Sequence, residues 1–125
     1  MPTANDWLLF AKSDLKAARI LIHMEQPPLA IALFYGQQCV EKSLKAYLVH
    51  ENIAPKKTTC LVKLVKCCTR INSLFATILH DASDINQFSG SICYPSDTQV
   101  LPELDTALHI IEKAASIYEF IEILI

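Results

Sequence analysis

The sequence predicts an all-α protein, an up-and-down bundle of four or five helices in one domain spanning residues 1–125. Three observations carry that reading. Apolar residues recur at helical spacing along most of the chain. Only two residues are glycine, too few for the left-handed turns that a hairpin-rich β protein needs. Hydrophobic residues make up 52% of the chain, enough at this length for a core without disulfide or metal staples.

The first helix is expected over residues 4–24, with Thr3 or Asn5 as its cap and Asp6 in the first turn, where the helix dipole favours a negative charge. Its apolar stripe is Ala4, Trp7, Ala11, Leu15, Ala18 and Ile22, and the opposite stripe is Lys12, Lys16, Arg19 and His23. After Pro27 and Pro28 the second helix covers 28–51, with Leu33, Gly36, Val40 and Leu44 on its apolar side. Gly36 sits mid-helix at a cost of about 1 kcal/mol against alanine, a cost commonly tolerated where another helix comes close. Thr58 or Thr59 caps a short third helix, 60–69, and a fourth covers 72–88 with Phe75, Ile78, Ala82 and Ile85 inward. After the irregular stretch "SGSICYPSDTQVLP", the last helix covers 99–124, with Asp97 as its cap and Pro102 in its first turn. Ile110, Ile117, Phe120 and Ile123 lie off its main stripe, so it is apolar on more than one side. That pattern predicts a homodimer that covers the second side, the alternative being a last helix that is simply central in the bundle.

The start of the chain is not a signal peptide, since it lacks a basic run before an apolar core, and no apolar run approaches the ~20 residues of a bilayer span. A cytoplasmic protein with no membrane segment is expected. The cysteines (Cys39, Cys60, Cys67, Cys68, Cys93) are five in number and contain no CxxC pair, so they read as free, mostly buried thiols and not as a zinc site. No metal or cofactor is implied. Residues 1–70 hold ten Lys and Arg against five acids, whereas residues 71–125 hold Lys113 alone against eight. Such a dipolar chain either steers a polyanion to its basic face or pairs its charges internally.

The stretches "WLLFAKSDLKAARIL", "ALFYGQQCVEKSLKAYL" and the "YP" before the last helix resemble the HEPN domain family (higher eukaryotes and prokaryotes nucleotide-binding), over nearly the whole chain. The block "QQCVEKSLKAYL" is the most specific part, with its glutamine, Glu-Lys and Lys-Ala. The resemblance implies a helical bundle of the nucleotidyltransferase substrate-binding-subunit type, usually a homodimer. Such a protein is often the partner of a minimal nucleotidyltransferase or half of a toxin–antitoxin pair. Some members bind nucleotides, and others are metal-independent ribonucleases with an Arg followed, after four to six residues, by His. Here three residues intervene between Arg19 and His23, and nine between Arg70 and His80. A His-Asp-Leu that related proteins carry reads Thr59-Cys60-Leu61, and an Arg before Tyr-Pro reads Cys93.

Cleavage of RNA through its 2'-hydroxyl needs a base that titrates near neutral pH and a cation on the phosphoryl oxygens. Arg19 and His23 offer both types one turn apart, so they are read as a phosphate contact before a catalytic pair, with a solvated basic face as the plain alternative. Gln38, Glu41, Lys42 and Lys45 lie away from the second helix's apolar stripe, with Glu41 and Lys45 spaced for an ion pair. They read either as a solvent-exposed face or as one wall of a groove beside Tyr94, where a lysine meets a phosphate and Tyr94 stacks on a base. The candidate ligand residues are therefore Lys12, Lys16, Arg19, His23, Gln38, Glu41, Lys42, Lys45 and Tyr94. The expected function is a nucleotide- or RNA-binding partner protein, with a degenerate ribonuclease or a ligand-free interaction module as alternatives.

Overall fold

A computed structural model describes residues 1–88, 90–96 and 100–125. Five α-helices, α1 (Ala4–Ile22), α2 (Leu29–His50), α3 (Leu61–Thr69), α4 (Leu79–Asn86) and α5 (Leu104–Leu124), follow one another, with 3₁₀ turns at Ser73–Ile78 and Gly90–Cys93. No strand occurs among the described residues. The all-α bundle is as the periodicity predicts.

A reciprocal capping box opens α1. The Thr3 hydroxyl accepts from the Asp6 amide at 3.1 Å and the Asp6 carboxylate accepts from the Thr3 amide at 2.8 Å. These bonds, the backbone one foremost, hold the Asp6 carboxyl below the usual carboxylate range. α2 is the central helix. It packs on α1, α3 and α5 and buries Ala32, Leu33, Cys39, Val40, Leu44 and Leu48. It ends on Asn52 at φ 61°, after which the Ile53 amide returns to the Leu48 carbonyl at 2.8 Å. Asparagine thus takes the left-handed position that glycine usually fills at a helix C-terminus.

Gly36 faces α5, but a methyl group built there would lie 3.7 Å from Ile111 Cγ1 and 3.9 Å from Ala114 Cβ, ordinary contact distances. The helices are close without excluding a side chain.

Three boundaries and one flank differ from expectation. α3 is capped by neither Thr58 nor Thr59: Cys60 is its N-cap residue, and the free amide of Leu61 donates to Asn86 Oδ1 of α4 at 2.7 Å. The expected fourth helix is split. Asn72 Oδ1 accepts from the Leu74 amide at 3.0 Å and starts a 3₁₀ turn, whose Phe75 ring meets Tyr47 at 4.5 Å and Phe120 at 5.2 Å. α5 begins at Leu104, not at 99, so Pro102 precedes it. Proline holds the residue before it extended, and Glu103 is itself extended at φ −67°, ψ 163°. The expected cap, Asp97, lies outside the described residues. Lastly, Ile110 and Ile117 are buried within the chain's own bundle, in which α5 packs on α1, α2 and α4. They give no reason for a second subunit. Ile123 does stand out, at 83% exposure.

Of the thiols, Cys39 and Cys68 are buried, Cys60 and Cys67 half-buried and Cys93 exposed. Burial pushes Cys39 and Cys68 up to about 12, whereas the backbone amide of Lys63, at the start of α3, lowers Cys60. Two outcomes are expected. Gly36→Ala raises stability by up to about 1 kcal/mol in urea titration. A disulfide reagent at neutral pH labels Cys93 and Cys60 in the native protein, and labels Cys39 and Cys68 only after unfolding.

Candidate functional site

The polar block of α2 does not face solvent. α1 and α2 run antiparallel, and successive turns bring Trp7 opposite Lys45 and Phe10 opposite Lys42. Lys45 Nζ stands 5.9 Å from the Trp7 ring centroid and 3.1 Å from Glu41 Oε2. Lys42 Nζ stands 5.8 Å from the Phe10 centroid and 2.6 Å from Asp14 Oδ2. Each lysine is thus held between an aromatic ring of α1 and a carboxylate. Side-chain exposure is 11% for Lys45 and 10% for Glu41, against 22% for Lys42 and 12% for Asp14. Charges this far out of water are stable only when paired, and a cation beside a half-exposed or exposed ring adds only about 0.5–1 kcal/mol. Glu41 Oε1 is buried without a hydrogen-bond partner, which leaves Lys45 as its compensation.

The glutamines are also engaged. Gln37 Nε2 donates to the Thr59 carbonyl at 3.1 Å, and Gln38 Nε2 donates to Gln37 Oε1 at 2.9 Å. They tie the segment before α3 to α2. The expected exposed face of Gln38, Glu41, Lys42 and Lys45 is therefore an internal seam. The helical wheel hid this because the carboxylate that draws Lys42 inward comes from α1.

Tyr94 is not part of that seam. It is 71% exposed beyond the 3₁₀ turn Gly90–Cys93, which packs on α2. Among the described residues no hydrogen bond or ring contact joins it to Lys42 or Lys45.

The basic stripe of α1 meets α5. Lys12, Lys16 and Arg19 line a groove of about 530 Å³ with Ile20 on one bank and Tyr118, Glu119 and Glu122 on the other. Arg19 Nη2 bonds Glu112 Oε2 at 3.2 Å, and Tyr118 donates to Glu122 Oε2 at 2.9 Å. Burial, reinforced by that bond, pushes the Tyr118 hydroxyl up to about 12. Lys12 and Lys16 have no carboxylate within salt-bridge distance among the described residues. His23 closes α1 with Nδ1 2.8 Å from the Arg19 carbonyl, so its ring serves the helix end. His80 lies on α4, 3.7 Å from Asp84, and Arg70 ends α3. Neither arginine forms a pair with a histidine side chain.

The nine expected residues thus fall into a half-buried seam (Gln38, Glu41, Lys42, Lys45), a groove (Lys12, Lys16, Arg19) and two separate positions (His23, Tyr94). Asp14 and Glu112 were missed. Asp14 was legible, since it lies among Ala11, Leu15 and Ala18 on the buried side of α1, and a carboxylate there demands a cation from the facing helix. Glu112 was not, because its partner is 93 residues away.

The HEPN domain model matches residues 4–124. The chain belongs to the HEPN family. Its fold is similar to that of a crystal structure of an archaeal HEPN homologue, with a TM-score of 0.75 and 24% identity over 98% of this chain and 97% of that one. No curated protein sequence matches it. In this HEPN domain, residues of the family's glutamine and Glu-Lys block clamp α1 to α2. Among the described residues no cluster of His, Cys, Asp or Glu could hold a metal ion, and no helix is long and apolar enough to cross a membrane.

If the seam is structural, Asp14→Ala alone strands the Lys42 charge and costs about 3 kcal/mol or more. Asp14→Leu with Lys42→Met recovers most of that loss. Chemical denaturation of the three proteins checks the order.

Proposed function

We propose that this HEPN protein is a binding subunit, the helical partner of a minimal nucleotidyltransferase or of a toxin–antitoxin module, and not a ribonuclease. The observation that carries this reading is where the cations go. Lys42, Lys45 and Arg19 are each bonded to a carboxylate of the same chain, and the His23 ring is bonded to a backbone carbonyl. A ribonuclease needs its cation and its base directed together at one phosphate. A binding subunit needs only an accessible face.

Such a face is present at the start of α1. Leu9 and Phe10 are 62% and 66% exposed, and Pro2, Asp6, Trp7 and Phe10 line an apolar cleft of about 430 Å³. The Asp6 carboxylate is occupied by the capping box, so the cleft offers almost no hydrogen bonding to a nucleotide. An aromatic or aliphatic side chain of a protein fits it better.

A second reading, nucleotide or RNA phosphate in the α1–α5 groove, is favoured by the unpaired Lys12 and Lys16. It is opposed by Glu119 and Glu122 on the facing bank, which repel a phosphate.

The test is co-expression with a minimal nucleotidyltransferase from a neighbouring reading frame. The two are expected to co-purify, and Phe10→Asp is expected to abolish this while the helical content is kept. The purified protein is expected to leave RNA intact in EDTA. Cleavage that Arg19→Ala or His23→Ala removes would reinstate the nuclease. A thermal shift with ATP, GTP or short RNA that is lost in Lys12→Ala/Lys16→Ala would favour the phosphate reading.

A further inference from the structure

The fold divides the cations of the basic half of the chain into two groups. Arg19, Lys42 and Lys45 are bonded to carboxylates. Lys56, Lys57, Lys63, Lys66 and Arg70 are all exposed, and among the described residues no carboxylate lies within salt-bridge distance of any of them. No Asp or Glu occurs between residues 52 and 80. The next acids along the chain that pair, Asp81 and Asp84, are engaged by Lys113 of α5.

The backbone brings these unpaired cations together. The Ile53 amide bonds the Leu48 carbonyl at 2.8 Å, and the Thr59 carbonyl accepts from Gln37 Nε2 at 3.1 Å. Residues 53–59 therefore run back along α2 from Leu48 to Gln37, about 16 Å at 1.5 Å per residue. α3 then retraces that length in the opposite sense, since Cys68 Sγ reaches the Leu44 carbonyl at 3.8 Å. Lys56 and Lys57 on the return segment thus flank α3. On α3 itself Leu61, Leu64, Val65 and Cys68 are buried, and Lys63, Lys66 and Arg70, at spacings of three and four, form one stripe on the opposite side. Three aliphatic side chains stand at the end of the strip where α2 stops: Ile53, Ile71 and Leu74, exposed 42%, 37% and 55%.

A cationic strip with an aliphatic end suits a ligand that carries acids along its length and apolar residues at one end. A nucleic-acid strand meets the cations, but aliphatic side chains give its bases nothing to stack on. An anionic bilayer is a plane of charge wider than the strip and acts on the whole chain, whose net charge is -2. A short segment responds to the local field alone, because charges more than ~8–10 Å away are screened at physiological salt. We propose that this face docks a short acidic segment of a partner protein, with aliphatic residues at one end and a run of Asp or Glu beyond them. Its carboxylates meet Lys63, Lys66 and Arg70, with Lys56 and Lys57 alongside, and its aliphatic end covers Ile53, Ile71 and Leu74. The face shares no residue with the Phe10 cleft or with Lys12 and Lys16, so it stands independently of the nucleotidyltransferase and phosphate readings.

The probe is a fluorescein-labelled peptide of about twelve residues, long enough to span the strip as a helix, with two isoleucines followed by glutamates. A second peptide replaces every glutamate by glutamine. In fluorescence anisotropy with the full chain, the acidic peptide is expected to bind at least about tenfold more tightly than the glutamine one. It is expected to weaken about tenfold between 0.1 and 1 M salt, as the Debye length falls from ~10 to ~3 Å, a readout that needs no variant. Lys63→Gln/Lys66→Gln is expected to lower the affinity about fivefold. Thr106→Glu/His109→Glu, which changes the net charge as much at exposed positions of α5, is expected to leave it unchanged. Ile71→Ser/Leu74→Ser is expected to weaken binding about threefold and to keep its salt dependence. Equal binding of the glutamine peptide, indifference to salt, a loss in the α5 variant equal to that in the α3 variant, or no effect of the serine substitutions would each overturn the proposal. So would an oligouridylate of matched length, or phosphatidylserine vesicles, that bound more tightly than the acidic peptide.

Discussion

Two lysines of α2, each enclosed between a ring of α1 and a carboxylate, set the register on which this bundle depends. Apolar stripes alone tolerate sliding, because one leucine replaces another with little penalty. A half-buried ammonium does not, since a shift of one turn would separate Lys42 from Asp14 and leave both charges out of water without a partner. With Trp7 opposite Lys45 and Phe10 opposite Lys42, the rotation of α1 about its own axis is also fixed. That rotation turns Leu9, Lys12, Lys16 and Ile20 toward α5 and leaves them open to solvent. The surface available for binding is thus a by-product of the seam.

How much of this was legible follows from the range of each interaction. Helices α1 and α2, the Thr3 cap and the core positions Ala11, Leu15, Val40 and Leu44 depend on neighbours within a few turns, and periodicity finds them. The split at Asn72 and the late start of α5 depend on competition between a local cap and distant packing, so a single continuous pattern misled at both. The block from Gln38 to Lys45 was read as an outer face because a helical wheel knows only one helix. Its true environment is supplied by Asp14, Trp7 and Phe10, 28 or more positions away. The second apolar flank of α5 fits either a central helix or a dimer on a wheel, and the burial of Ile110 and Ile117 within the chain accounts for it by the first.

The signature block of this chain serves the packing of the fold at positions that a linear reading offers as a ligand site. In this chain the glutamines and lysines of the signature join three segments, α1, α2 and the strand-free approach to α3. The residues left accessible there are less distinctive in sequence, among them Leu9, Phe10, Lys12, Lys16 and Ile20 of α1 and Glu119, Glu122 and Ile123 of α5. Their significance comes from adjacency across α1 and α5, which no linear motif records.

The cap of α3 bears on how the chain is made. The Leu61 amide finds its acceptor in Asn86, 25 residues further on, and α3 itself has only nine residues, too few to persist alone in water. The first turn of α3 is thus completed by a side chain of α4, while its buried face rests on α2, so this end of the bundle closes only when residues 61–86 are in place together, whereas the α1–α2 pair needs nothing beyond residue 50.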